Sequence, residues 1–133
     1  MPTALSIAEE WRGDVTVLDL AGALTVENRR TFTKKVNELI EQGRHKLLLR
    51  PEENMLIDSA GLGAVLMAGN CAKRLGGRLV VLDTSVEMGS DGQRRFWRAV
   101  RRVVGPAFEV CWLEEEALAL LGHASDEVED TRK

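Results

Sequence analysis

The 133-residue chain has few side chains that could perform chemistry, with only two cysteines and two histidines. Cys71 and Cys111 each stand in an apolar segment without a second cysteine at metal-ligand spacing, so we expect buried structural residues. His45 and His123 have no nucleophile and orienting acid beside them in the sequence. The sequence therefore predicts no catalytic residues, no metal site and no cofactor, and hence a protein that is not an enzyme.

Long hydrophobic runs and an excess of positive charge are also lacking. No apolar stretch reaches the roughly 18 to 20 residues that a membrane-spanning helix needs, and the first residues lack the pattern of a secretory leader. The formal net charge of -3 gives no general attraction to nucleic acid or to anionic membranes. We therefore expect a cytoplasmic protein without membrane insertion, whose partner is another protein rather than a nucleic acid.

The apolar residues that are present suffice for one globular domain. Hydrophobic residues make up 44% of the chain, and 133 residues is an ordinary length for a single domain. Residues 124–133 are mostly polar and charged. The composition predicts one domain over residues 3–123, followed by a flexible charged tail over residues 124–133.

Short apolar runs alternate with helical periodicity along the chain. Strands are predicted at residues 5–8, 15–20, 46–49, 79–82 and 108–113, with a turn at Gly13 and Asp14 between the first two. Helices are predicted from a cap at Thr25 to Gly43, from residues 58–59 to Gly76, and at residues 93–104 and 114–121. This order predicts an α/β fold with a mixed sheet, mostly parallel with an antiparallel edge strand, packed against about four helices.

The helix predicted at residues 93–104 carries five arginines opposite an apolar arc. Such a stripe could meet phosphate or an acidic partner. A charged stripe opposite an apolar arc is nevertheless typical of the solvated face of a packed helix, and we interpret the arginines in that way first.

The most specific segment of the chain is DSAGLG, residues 58–63, which opens a helix directly after the apolar residues 55–57. Asp58 or Ser59 can cap that helix, because the side-chain oxygen of either residue can accept a hydrogen bond from a free backbone N–H group. Gly61 and Gly63 allow a helix to approach a strand closely. If Gly61 lies in an exposed first turn, Gly63→Val should cost more stability than Gly61→Val.

Three features together resemble the STAS domain family, and within it the anti-sigma factor antagonists. These are Gly22 after the second strand, DSAGLG at residues 58–63, and Gly76-Gly77 before the strand LVVL. The resemblance covers nearly the whole chain and implies a STAS-like fold that binds an anti-sigma factor, itself a serine protein kinase that phosphorylates Ser59. It implies a partner-binding surface made of Thr25, Asp58, Ser59, Ala60, Gly61, Leu62 and Gly63.

Phosphorylation at this position is physically reasonable, because the start of a helix tolerates an anion without unfolding. A phosphate adds about -1.5 to -2 charges next to Asp58. Repulsion between neighbouring like charges of this kind can weaken binding by roughly a hundredfold. The expected function is therefore a signalling switch in transcription regulation, in which unmodified Ser59 permits binding and phosphoserine prevents it.

Thr25 stands where phosphorylatable antagonists usually carry aspartate, and residues 83–92 form a longer link than is usual in the family. One alternative is a constitutive STAS adaptor subunit of a signalling or lipid-transport assembly, with Ser59 acting only as a helix cap. A dinucleotide-binding unit is disfavoured, because Leu66 occupies the place of the third glycine of GxGxxG. The oligomeric state is left open.

Overall fold

The computed structural model describes residues 4–53, 55–83, 97, 100 and 107–122. These residues form six strands, which are β1 (Leu5–Arg12), β2 (Val15–Leu24), β3 (Lys46–Pro51), β4 (Leu56–Ile57), β5 (Arg78–Leu82) and β6 (Glu109–Cys111). They also form three helices, which are α1 (Arg29–Glu41), α2 (Ser59–Arg74) and α3 (Glu114–Leu120).

The strands form one mixed sheet in the order β1-β2-β3-β5-β6, and β4 pairs with the end of β2. β1 runs antiparallel to β2 at one edge, whereas the other pairings are parallel. Arg12 lies opposite Val15, and Gly13 has a φ of 62°, so the predicted turn at Gly13 and Asp14 is confirmed. The prediction of a mostly parallel sheet with an antiparallel edge strand is also confirmed.

The number of helices differs from the prediction, because the described residues form three helices rather than about four. The helix predicted at residues 93–104 lies almost entirely outside the described residues, and its Trp97 and Val100, which are described, are helical. The charged tail at residues 124–133 and the long link after Asp83 also lie outside the described residues.

Both faces of the central strands are buried, because helices cover the sheet on both sides. In β3, Leu47 and Leu49 face the core cluster beneath α1 and α2, whereas Leu48 faces the cluster beneath α3. Trp97 belongs to the first cluster and meets Phe108 edge to face, with 6.2 Å between the ring centroids. Burial on both faces of β3 explains why three leucines, Leu47, Leu48 and Leu49, follow one another without a polar residue.

Ion pairs attach the first turn of α3 to the sheet. Glu114 accepts hydrogen bonds from the guanidinium groups of Arg12 and Arg50, the latter at 2.7 Å. Arg50 also donates two hydrogen bonds to Asp19, its neighbour on β2, at 2.5 and 2.9 Å. The hydrogen bond from Arg12, with that from Arg50, holds the pKa of Glu114 below its usual value.

Among the described residues, none of the helices is both long and apolar enough to cross a membrane. Both cysteines are free. Cys111 is buried as expected, whereas Cys71 on α2 is only partly buried, since it lies on the side of the helix that faces a groove at the surface.

Candidate functional site

The DSAGLG segment follows strand β4 directly and lies beside the last residues of β2. Strand β4 pairs in parallel with residues 23 and 24 of β2, and the Asp58 N–H then donates to the Leu24 carbonyl oxygen at 3.3 Å. Asp58 keeps an extended backbone with a φ of -95°, and α2 begins at Ser59. This short strand therefore determines where the second helix starts.

The Asp58 carboxylate joins two segments of the chain. One oxygen, Oδ1, accepts a hydrogen bond from the Gly61 N–H at 2.8 Å, which caps α2. The other, Oδ2, accepts from the Val26 N–H at 3.1 Å, which ties the loop after β2 to the same helix. Hydrogen bonds from backbone N–H groups, that of Gly61 first, hold the pKa of Asp58 below its usual value, so the side chain stays ionised at neutral pH.

Thr25 lies in this loop and caps the turn before α1 rather than α1 itself, because its Oγ1 accepts a hydrogen bond from the Glu27 N–H at 3.3 Å while α1 begins only at Arg29. The Thr25 N–H donates to the Asn28 side chain at 2.8 Å, and the Asn28 amide donates to the Ala23 carbonyl oxygen at 2.8 Å. These bonds close a turn over residues 25–28 and delay the start of the helix until Arg29. The turn places Thr25 and Val26 next to Asp58. A partner-binding surface that includes both Thr25 and the DSAGLG motif requires this proximity.

Ser59 is exposed in the first turn of α2. Its hydroxyl forms no hydrogen bond with any residue that the structure describes. Because Asp58 supplies the cap, the interpretation of Ser59 as a helix cap is not needed. Ser59 therefore presents an unengaged hydroxyl beside an ionised carboxylate.

The two glycines of the motif have opposite surroundings to those expected. A Cβ atom added to Gly61 would lie 2.0 Å from the backbone oxygen of Leu24, whereas one added to Gly63 would meet no atom within 4 Å. Gly61 is buried against β2. The condition that Gly61 lies exposed is not met, so the expectation that Gly63→Val costs more stability no longer applies, because the close approach of helix to strand occurs at Gly61.

The remaining residues of the motif are partly buried: Ala60, Leu62 and Gly63. Leu62 packs against the core cluster beneath α1 and α2. The motif thus exposes mainly Asp58 and Ser59, and its other members shape the start of the helix.

Two exposed apolar side chains, Val26 and Leu56, flank the motif and were missed by reasoning from the sequence. Val26 is 60% exposed and Leu56 is 63% exposed. Leu56 stands two residues before Asp58 in extended backbone, so both side chains project from the same side of the chain. The run 55–57 was visible in the sequence, but burial of Met55 and exposure of Leu56 depend on the pairing of β4 with β2.

No group of three or more His, Cys, Asp or Glu side chains within the described ranges could hold a metal ion. Asp58 is a poor general base here, since both of its oxygens accept backbone hydrogen bonds and its pKa is lowered. The arrangement is suited to modification of Ser59 and to contact with another protein.

The sequence model of the STAS domain family matches residues 6–89, more than half of the chain. The chain belongs to the STAS domain family. No curated protein matches the chain. The STAS resemblance predicted from Gly22, DSAGLG and Gly76-Gly77 is thereby confirmed.

Solved structures with the same fold include anti-sigma factor antagonists. One from Mycobacterium paratuberculosis has a TM-score of 0.63 and 12% identity, covering 91% of this chain and 97% of that chain. The antagonist SpoIIAA in its unphosphorylated form has a TM-score of 0.60 and 23% identity, covering 86% and 96%. The Bacillus cell fate determinant SpoIIAA in the phosphorylated form has a TM-score of 0.57 and 22% identity, covering 86% and 97%. At these identities the similarity establishes the fold of this STAS domain.

Proposed function

We propose that this STAS domain is a protein-interaction domain of the anti-sigma factor antagonist type, regulated by phosphorylation of Ser59. The observation that carries the proposal is the exposed Ser59 hydroxyl, which stands beside the Asp58 carboxylate without a hydrogen bond to any described residue. The proposed partner is an anti-sigma factor that is also a serine protein kinase. The domain itself performs no catalysis in this proposal and acts in the cytoplasm on transcription.

The similar structures support this proposal through their fold. SpoIIAA, described as an anti-sigma factor antagonist, is known in an unphosphorylated and in a phosphorylated form. A fold of this kind therefore tolerates a phosphate. In this chain the exposed position of Ser59 is compatible with the same tolerance, because a phosphate there displaces no buried side chain.

The surroundings of Ser59 favour a strong electrostatic effect. A phosphate carries about -1.5 to -2 charges at neutral pH. Asp58 already accepts the Gly61 N–H, so that donor is not available to neutralise the phosphate, and the ionised Asp58 adds a second negative group. A partner that contacts Ser59 and the apolar side chains of Val26 and Leu56 would meet this charge directly, and its affinity would fall.

The proposal predicts that Ser59→Asp weakens partner binding by about tenfold or more, whereas Ser59→Ala changes it by less than about threefold. Only the first substitution adds charge, and neither alters a hydrogen bond within the described residues. Isothermal titration calorimetry with the purified anti-sigma kinase measures both affinities.

Phosphopeptide mapping after incubation with that kinase and ATP should find phosphate on Ser59 alone, and phosphate mainly on Thr84 or Ser85 would contradict the proposal.

The second candidate is a constitutive STAS adaptor, in a signalling or lipid-transport assembly, that binds without phosphorylation. Thr25, at the place where the phosphorylatable antagonists usually carry aspartate, is the feature that favours it. Two results would support the adaptor. The Ser59→Asp and Ser59→Ala variants would bind the partner with equal affinity, and the chain would gain no mass when it is incubated with the kinase and ATP.

A further inference from the structure

A groove of about 350 Å³ lies between α1 and α2. Its lining includes three buried apolar residues, Val36, Ala64 and Ala68, and the side chain of Met67, which is 72% exposed. The polar residues of the lining are all exposed at the surface: Thr33, Asn37, Asn70 and Arg74. The groove therefore has an apolar floor and a polar rim.

This distribution is typical of a protein interface rather than of a small-molecule site. Protein interfaces have an apolar centre surrounded by polar residues that water can reach. A small-molecule site usually has a few polar groups inside the pocket to orient the ligand, and a volume of roughly 300 to 1,000 Å³. The polar groups of this lining lie at the rim, and the volume is at the lower end of that range, so the groove is better suited to side chains of a protein.

The lining takes Thr33, Val36 and Asn37 from one turn of α1 and residues within 64–74 from three turns of α2, so the groove follows α2. α1 follows β2 and α2 follows β4, which are parallel strands, and both helices pack on the same face of the sheet. Their axes therefore run in the same general direction. Gly63, Met67 and Cys71 recur at intervals of four residues along α2, and the surface beside Gly63 is open. An amphipathic helix with aliphatic side chains one turn apart fits such a groove.

Three cations lie on the rim of the groove or one turn away from its lining. Arg30 and Lys34 are the helical neighbours of Thr33 and Asn37 on α1, and Arg74 lies on the rim at the end of α2. None of these three cations forms a hydrogen bond or an ion pair with a described residue.

The acidic residues on the same side of α1 offset this charge only in part. Glu38 lies 3.9 Å from Lys35, and Glu41 stands one turn beyond Asn37. The border of the groove is therefore net positive and complementary to an acidic segment.

We propose that the groove between α1 and α2 binds an acidic amphipathic helix of a partner protein. The aliphatic side chains of that helix pack on Val36, Ala64 and Ala68 and against Met67, and its carboxylates face Arg30, Lys34 and Arg74. The inference goes beyond the proposed function and does not depend on it, because this contact requires neither a kinase nor phosphate on Ser59.

The test uses a synthetic amphipathic peptide of about 18 residues, long enough to form a helix, with leucines on one face and glutamates on the other. A twin peptide carries lysines in place of the glutamates. Titration of each into the full chain labelled with ¹⁵N should give saturable shifts with the acidic peptide at Asn37, Asn70 and Cys71, and at least tenfold weaker binding of the twin.

Two substitutions in the groove and two matched controls locate the contact. Met67→Glu should weaken the acidic peptide at least tenfold, and Arg74→Glu about fivefold, a size typical of an exposed ion pair. Leu75→Glu and Arg78→Glu change an exposed apolar residue and an arginine outside the lining of the groove, and should alter binding by less than about twofold. Met67 is so exposed that its substitution should leave the melting temperature unchanged.

The proposal is overturned by any of four results. These are no saturable shift with the acidic peptide, equal binding of its lysine twin, full affinity in both Met67→Glu and Arg74→Glu, or shifts that centre on residues 56–61 instead. Sedimentation equilibrium adds one more outcome, because self-association that Met67→Glu abolishes would assign the groove to a second copy of this chain.

Discussion

Asp58 uses both oxygens of one carboxylate to hold together two segments that are 32 residues apart in the sequence. The bond to Gly61 orients the helix, and the bond to Val26 orients the loop beside it. Ser59 is therefore not needed to cap the helix. The proposed phosphorylation of Ser59 would therefore break none of these structural bonds, because its neighbour Asp58 carries them.

The glycines of DSAGLG give a prediction at the scale of single residues. Gly61→Ala should lower the free energy of unfolding by about 1 to 3 kcal/mol, because the added methyl group collides with the Leu24 carbonyl oxygen unless the helix moves. Gly63→Ala should raise it by up to about 1 kcal/mol, because alanine favours a helix and meets no neighbour there. Urea denaturation followed by circular dichroism measures both.

The opposite order of stability would mean that the helix approaches the strand at Gly63 instead. The same two variants also separate structure from recognition. If Gly61→Ala lost partner binding while its free energy of unfolding stayed normal, the buried position of Gly61 would be contradicted.

Among the secondary-structure elements, α3 depends on charge as well as on apolar packing. Ala117 and Leu121 lie in the core cluster on its side of the sheet, and Glu114 joins its first turn to Arg12 and Arg50. These ion pairs are partly exposed, so we expect a contribution of about 1 kcal/mol in total.

The lowered pKa of Glu114 makes that contribution depend on pH. A carboxylate with a lower pKa in the folded chain stabilises the fold above its unfolded value, near 4.5, and this stabilisation is lost as the pH falls through the folded value. Glu114→Gln should therefore be less stable than the wild type at pH 7, and the difference should shrink below about pH 4. Denaturant unfolding at several pH values tests this expectation.

Glu115→Gln is the matched control for α3. Glu115 also lies in the first turn of the helix, but it forms no ion pair with any described residue. If both variants lost the same stability at pH 7, the favourable charge at the helix start would explain the effect, and the two arginines would not.

At the scale of the whole molecule, one sheet separates two core clusters and couples them. Neighbouring residues of β3 face opposite clusters, since Leu49 lies beneath α1 and α2 and Leu48 beneath α3. Because both side chains belong to the same strand, a loss of packing on either face weakens the same sheet. We expect the domain to unfold as one cooperative unit.

Leu48→Ala and Leu49→Ala should each cost about 2 to 5 kcal/mol, and each should lower the midpoint of a single transition. Far-ultraviolet circular dichroism and near-ultraviolet circular dichroism should report the same midpoint in both variants. Leu56→Ala is the control, because that side chain is largely exposed and should change stability by less than about 0.5 kcal/mol. Separate midpoints for the two signals would show that α3 and its cluster unfold independently.

Local patterns were enough for much of this architecture. The two-residue turn at Gly13 and Asp14, the strand at residues 79–82 and the start of a helix after Asp58 could all be read from residue type and spacing. Each depends on contacts within a few residues along the chain, or on an apolar run long enough to require burial on both faces. Ser59 could be selected for the same reason, since its motif is continuous in the sequence.

Other features of the site depended on residues that are distant in the sequence. The exposure of Leu56 follows from the pairing of β4 with the end of β2, and the delayed start of α1 follows from the bond between Asn28 and Ala23. The helix α3 covers the face of the sheet that carries Leu48 and Val80, because Ala117 and Leu121 complete the core cluster there.

The sequence by itself determined the alternation of strands and helices, the family and the position of Ser59, because these are carried by local periodicity and by one continuous motif. Only the tertiary structure decided that Gly61 faces inward, that Asp58 rather than Ser59 caps α2, and that Val26 lies beside the motif. Both glycines have the same freedom in isolation, and both Asp58 and Ser59 carry an oxygen that can cap a helix. The Leu24 carbonyl group requires a glycine at position 61, and the Val26 N–H group provides a second hydrogen bond for the Asp58 carboxylate. Only folding brings these two groups next to the motif.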